Sequence, residues 1–524
     1  MRKIFIAIGI LFVAMIGMAY LYFANLNIET NVNDLSLNTI TKKSGLVFCF
    51  ENDKGFYDIL SGQDLLENVI GEQKSKQIHS LKTNLLSNQE IFASIEKQKI
   101  YIGIVPGLPG KTDFLIAIQS LANVNPEKLF TVLSKKAIIT NQGGVHQITF
   151  KDSTVVFAGF KDQLIVISNS AKEITEALTT SEETNVNFIN YIKANSRFNK
   201  NTLASLFIDY NKTPVFLKNI LNSNINGELN VFNKQDSYAA LSYNFSKEQL
   251  LFNGTTSVNN ANNYYALFSD IDEQKITITN LLPDKTANYT AFAIKDYPAW
   301  REKLKAQFIV KKQEEKVTAT ISRINQQYRL DLDQIFPKYF KDQFITFQLN
   351  TGEKFGAIAL SNGDKVNQLL LDLGSEYATD IQVFKERDIL YSYFGDPFKK
   401  FERPFYTVID NYLVVSNYAS SIQFFLNSYK NNSLLVNDND YQVFRSQLSP
   451  NATIAFYIGN KNSNDIFGRN LKTPYYKQYK KQNGFKEYSA FYYQLSGDQG
   501  KFLTNILLFK NPLKIVQADT IIKP

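Results

Sequence analysis

Arg2 and Lys3 precede an apolar run from Ile4 to Phe23 that holds no charged residue. Twenty residues at about 1.5 Å each match a hydrocarbon core of roughly 30 Å. Positive charges ahead of the run place the N-terminus on the cytoplasmic side. The pattern predicts an N-terminal transmembrane helix over 1–24. A cleaved signal peptide would have a shorter apolar core ending at a small-x-small site, and here the run continues past Gly17-Met18-Ala19. Residues 25–44 are polar without sustained periodicity and read as a stalk.

From Leu46 onward, apolar runs alternate with turn residues. Leu46–Phe50 reads as a strand, and helical spacing follows through Tyr57–Ile70 and His79–Leu86. Lys99–Ile118 contains two apolar runs joined by a Pro/Gly turn, the pattern of a hairpin. Asn125-Pro126 opens a helix, Asn as N-cap and Pro at the first helical position. Strands are expected at Gln147–Phe150, Thr154–Ala158, Leu164–Ile167, Leu203–Asp209, Tyr238–Phe245 and Leu250–Val258.

The stretch Leu164–Leu178 then recurs as Tyr412–Leu426. Asp162, Val166, Ser168, Asn169, Ala171, Ile174 and Leu178 match Asp410, Val414, Ser416, Asn417, Ala419, Ile422 and Leu426 at one constant offset. Each copy is an apolar strand that breaks at Ser-Asn and turns into a helix. Further landmarks repeat in the same order: Ala287–Asp296 stands for the first strand, Phe344–Leu360 for the hairpin, Gly363–Leu373 for the helix. Thr453–Gly459 and Glu487–Ser496 complete the series. Self-similarity in constant order points to tandem duplication. The expected fold class is α+β: an N-terminal transmembrane helix, then two tandem homologous units of largely antiparallel sheet with packed helices. The boundaries are 1–24 anchor, 25–44 stalk, 45–260 first unit, 261–286 inter-unit segment, 287–510 second unit and 511–524 C-terminal tail.

Composition sharpens this reading in two ways. The 524 residues are 44% hydrophobic and 20% charged, a folded chain too long for one ordinary core. Phe (41) and Tyr (29) dominate the aromatics, which favours pleated sheet. The net charge of +8 is spread along the chain, so no nucleic-acid stripe is expected. Cys49 stands alone and reads as a small buried hydrophobe.

Candidate chemistry is sparse. His79 and His146 are the two histidines, and neither lies in a nucleophile-elbow context. Asp331 and Asp333 could act as an acid/base pair but read as N-caps, as does Asp440. Asn437–Asp440 lacks the glycine and terminal glutamate of a calcium loop. Val105–Lys111 fails the phosphate-loop spacing and joins strand to strand. No catalytic residue, metal or cofactor is therefore expected. One local pattern remains, Lys472–Lys486, where Lys472, Lys477, Lys480 and Lys481 interleave with Tyr475, Tyr476 and Tyr479. Such a stretch would contact anionic lipid or another polyanion, or form a helix with a solvated basic face.

The motifs AFAIKD (Ala291–Asp296) followed by Trp300, and LVVSN-x-A (Leu413–Ala419) opening a helix, resemble a family of membrane-anchored bacterial envelope proteins, a domain of unknown function common in the Bacteroidetes group. The resemblance covers most of 45–510 and implies location and fold; it carries no catalytic residues. The functional expectation is a non-enzymatic, inner-membrane-anchored periplasmic protein that binds or scaffolds an envelope partner. The alternative is a carrier or sensor of a hydrophobic ligand such as lipid.

Overall fold

The computed structural model describes residues 34–52, 72–86, 93, 95–121, 125–179, 185–196, 202–222, 231–232, 236–245, 249–260, 262–481 and 485–510. Ten strands come from the first half: β1 (Leu46–Glu51), β2 (Lys99–Pro106), β3 (Thr112–Gln119), β4 (Ala137–Gln142), β5 (Val145–Phe150), β6 (Val155–Lys161), β7 (Leu164–Ser168), β8 (Ser205–Asp209), β9 (Tyr238–Phe245) and β10 (Gln249–Ser257). A two-stranded ribbon pairs β11 (Gln274–Lys275) with β19 (Asn451–Ala452). The second half supplies β12 (Thr286–Ala293), β13 (Phe340–Leu349), β14 (Lys354–Leu360), β15 (Gly374–Ala378), β16 (Ile381–Phe384), β17 (Phe405–Ile409), β18 (Tyr412–Ser416), β20 (Ile454–Gly459), β21 (Ala490–Asp498) and β22 (Lys501–Phe509).

Among the described residues, all strands but the ribbon join one 20-stranded antiparallel sheet. In the first half the order is β4-β5-β6-β7-β3-β2-β1-β8-β9-β10. In the second it is β15-β16-β17-β18-β14-β13-β12-β20-β21-β22. The two orders match strand for strand. They meet where β10 pairs with β22 over nine residues, from Gln249↔Phe509 to Ser257↔Lys501. Among the described residues, β4 and β15 are the two outer edges.

Helices cover both faces. One apolar core runs the length of one face through both halves, including Phe50, Phe114, Tyr243, Phe252, Phe292, Trp300, Phe344 and Ile506. On the opposite face each half has its own core. Val47, Tyr101, Val166, Ile174 and Phe188 centre the first, and Tyr289, Phe347, Val414, Ile422 and Phe425 the second. The recurring residues do recurring jobs. Asp162 (φ 54°) and Asp410 (φ 49°) take the left-handed conformation in the turns before β7 and β18, which a short polar side chain tolerates. The Ser168 hydroxyl donates to the Phe114 carbonyl at 2.6 Å, and Ser416 to that of Lys354 at 2.9 Å, tying each strand end to its neighbour. Ile174 and Ile422 anchor the helices that follow, Ala171–Thr179 and Ala419–Lys430.

Three expectations change. The fold is α+β around a large antiparallel sheet, but among the described residues no helix is long and apolar enough to cross a membrane, which corrects the fold class that began with a transmembrane helix. The run 4–23 lies outside the described residues, as do Tyr57–Ile70 and the tail 511–524. Residues Leu35–Lys43, assigned to the stalk, form a helix capped by Asp34, whose carboxylate accepts from the Leu37 N–H at 2.9 Å. Leu37 and Ile40, with Leu35 partly buried beside them, seat it on the sheet, a face too short to register as sustained periodicity. The inter-unit segment is likewise core material, with Tyr264, Tyr265, Leu267 and Phe268 buried.

Candidate functional site

The outer edges have unlike chemistry. β4 bonds only to β5 among the described residues, and its Ala137 and Ile139 turn toward the shared core. Ile138 therefore projects to the other face, where it is 72% exposed. β15 bonds only to β16, with a bulge between Glu376 and Ala378. Tyr377, 63% exposed, packs edge-on against Phe405 at 5.0 Å, which places it on the face opposite the shared core. Lys135 and Lys136, both exposed, lead into β4. Glu376 lies on β15, with Asp372 two residues before the strand and Asp380 two residues after it. Lys430 pairs with Asp380 at 2.8 Å, and Lys385 donates to the Asp372 carbonyl at 2.8 Å. An unpaired strand edge presents backbone N–H and C=O groups to any extended chain that can reach it.

The Lys/Tyr stretch forms a helix, Thr473–Lys480, opened by Thr-Pro. Its tyrosines face inward: Tyr479 is buried and bonds Asn460, and Tyr476 stacks on it at 6.1 Å. Tyr475 is half-buried. Lys480 lies over the Tyr476 ring at 4.8 Å. Lys472 bonds the first half, its N–H to Ile220 O at 2.9 Å and its Nζ to Lys218 O at 2.8 Å. Lys477, Lys480 and Lys481 occupy the outer side. This helix thus braces the two halves and presents three lysines outward.

The other candidates have structural occupations. The His146 ring lies 4.4 Å from Phe130 and 5.8 Å from Phe160, and burial lowers its pKa. His79 is exposed on helix Glu72–Leu81. Asp331 caps helix Leu332–Tyr339, accepting from the Gln334 N–H at 3.2 Å. Asp333 does not cap it; it accepts from the Tyr393 hydroxyl at 3.1 Å. Asp438, two residues before the expected cap Asp440, caps helix Asn439–Ser446 and pairs with Lys461 at 2.7 Å. Burial opposes ionisation of Asp438, but Lys461 and the Tyr441 N–H outweigh it and hold the carboxyl below its usual range. Among the described residues, no three His, Cys, Asp or Glu side chains are grouped to hold a metal. Cys49 is fully buried, and burial pushes its thiol up to about 12.

Sequence reasoning missed a buried arginine. Arg301 is 2% exposed, and its guanidinium sits 4.8 Å over the Tyr393 ring. With Asp333 on the hydroxyl of that ring, charge, aromatic face and carboxylate form one line across three helices. These residues lie 32 and 60 positions apart, so no local pattern joins them. A small apolar cleft of ≈ 230 Å³ also opens beside β1 and β2, walled by Leu46, Ile104, Pro106, Val215 and Phe216.

Neither a family model nor a curated protein matches the chain. A solved structure, crystal form I of TP0453, is similar at 11% identity over 43% of this chain and 79% of its own, with a TM-score of 0.23. A likeness at that score carries no argument about fold or activity.

Proposed function

We propose that this is a non-enzymatic binding or scaffolding protein that takes extended segments of partner proteins at its sheet edges. The free backbone of β4 and β15, each bonded on one side only among the described residues, carries this reading. Strand addition draws affinity from main-chain hydrogen bonds and specificity from alternate side chains. His146, Asp331, Asp333 and Asp438 are engaged in ring packing, caps, a hydroxyl contact and an ion pair, which supports a role without bond-making chemistry. The basic start and apolar run of residues 2–23 support placing the sheet outside the cytoplasm. Protease accessibility in spheroplasts checks this, and full protection would refute it.

The test of function is co-purification from the host. Wild type is compared with a variant carrying Asn141→Pro and Glu376→Pro, whose N–H groups alternate with those bonded to β5 and β16 and so face the free edges, since proline removes an edge donor. Loss of the partner set in the folded double variant is expected. An unchanged set would reject edge binding. The carrier reading rests on the cleft beside β1 and β2, whose volume falls below the roughly 300–1,000 Å³ usual for ligand pockets. A lipid mass retained in native mass spectrometry would favour it.

A further inference from the structure

We infer that the partner at each edge is a second copy of this chain, β4 of one copy adding antiparallel to β15 of the next. The inference rests on the edge-binding reading above. Three observations converge on it. First, the chain already makes such a join: β10 and β22, at matching places in the two strand orders, pair edge to edge over nine residues. β4 and β15 also occupy matching places, at the far ends. Second, the outward apolar residues agree in side. Ile138 and Tyr377 both project from the face opposite the shared core, so a sheet continued across the join brings them together as a cross-strand aromatic–aliphatic pair.

Third, the charges differ in sign. Lys135 and Lys136 enter β4, while Lys430 pairs with Asp380 just past β15 and Glu376 is the one charged residue on that strand. Antiparallel pairing sets the start of β4 against the end of β15, bringing these lysines toward Glu376 and Asp380. Pairing β4 with β4 would instead leave Glu376 and Tyr377 unused. The contact joins unlike surfaces, so it propagates as a head-to-tail series until a ring closes. The bulge beside Tyr377 keeps the paired run short, which fits a reversible association.

The test uses full-length protein in mild detergent with two single variants, Ile138→Cys and Tyr377→Cys, mixed and treated with a short bis-maleimide. Native Cys49 is shielded by complete burial. Cross-linked dimers are expected in the mixture at least fivefold over either variant alone. Sedimentation of wild type should show multiples of 59.8 kDa that diminish in high salt and with Asn141→Pro, which removes an outward-facing donor of β4. Dimers from Ile138→Cys alone would assign a symmetric β4–β4 contact and overturn the inference. A salt-insensitive monomer without cross-links would overturn it as well. In that case, partners lost from the edge-blocked variant would leave edge binding standing, and partners retained would reject both readings.

Discussion

The hydroxyls of Tyr210 and Tyr493 lie 2.8 Å apart in the interior, one just after β8 in the first half and the other on β21 in the second. Both side chains are fully buried, and burial drives both phenol pKa values upward. Nearby, the Thr256 and Thr504 hydroxyls are 2.7 Å apart across the same junction. Polar pairs at this depth join the halves only if both members stay satisfied.

Removing one member should therefore cost more than removing both. Tyr493→Phe is expected to destabilise by about 1–3 kcal/mol, because the Tyr210 hydroxyl loses one of its partners in a buried site. The double variant with Tyr210→Phe should recover part of that loss. Urea unfolding of the three variants measures the coupling, and strict additivity would remove this pair from the account of the junction.

Asp331 and Asp333 should respond differently to truncation. Asp331→Ala removes the cap of helix Leu332–Tyr339 and is expected to cost about 1 kcal/mol, largely restored by Asp331→Ser. Asp333→Ala instead strips the acceptor from the Tyr393 hydroxyl, about 1–2 kcal/mol, and Asp333→Asn keeps an acceptor oxygen. Equal thermal shifts for Asp333→Ala and Asp333→Asn would contradict this division.

His146 predicts an acid-sensitive component of stability. Burial lowers its folded pKa below the ordinary 6.5, so the unfolded chain takes up the proton first. Its contribution is complete above pH 6.5 and is lost as pH falls toward the folded pKa. The melting-temperature difference between wild type and His146→Phe should be constant above pH 6.5 and move against wild type below it. A flat difference down to pH 5 would refute the assignment.

The order of strands and helices was legible because burial leaves a periodic trace. The Lys99–Ile118 hairpin, the Asn125-Pro126 helix start and the paired strand–helix copies at Leu164 and Tyr412 follow from residues close in sequence. Helix Leu35–Lys43 left too faint a trace. The aromatic stretches around Phe207, Phe456 and Tyr493, whose richness suggests a hydrophobic ligand, pack as core, ring against ring.

Local sequence specified the strands at Leu46–Glu51, Lys99–Pro106, Thr112–Gln119 and Leu164–Ser168 and the recurrence of one series of landmarks, but it did not mark β4, β15, β16, β17 or β22. Only the tertiary structure decided that β10 joins β22 to make one sheet, that Tyr475, Tyr476 and Tyr479 turn inward, and that β4 and β15 end as free edges. The physical reason is that side-chain periodicity encodes a face, whereas any strand edge offers the same backbone donors and acceptors. Which edges meet depends on the packing of distant side chains, all of which must be in place at once.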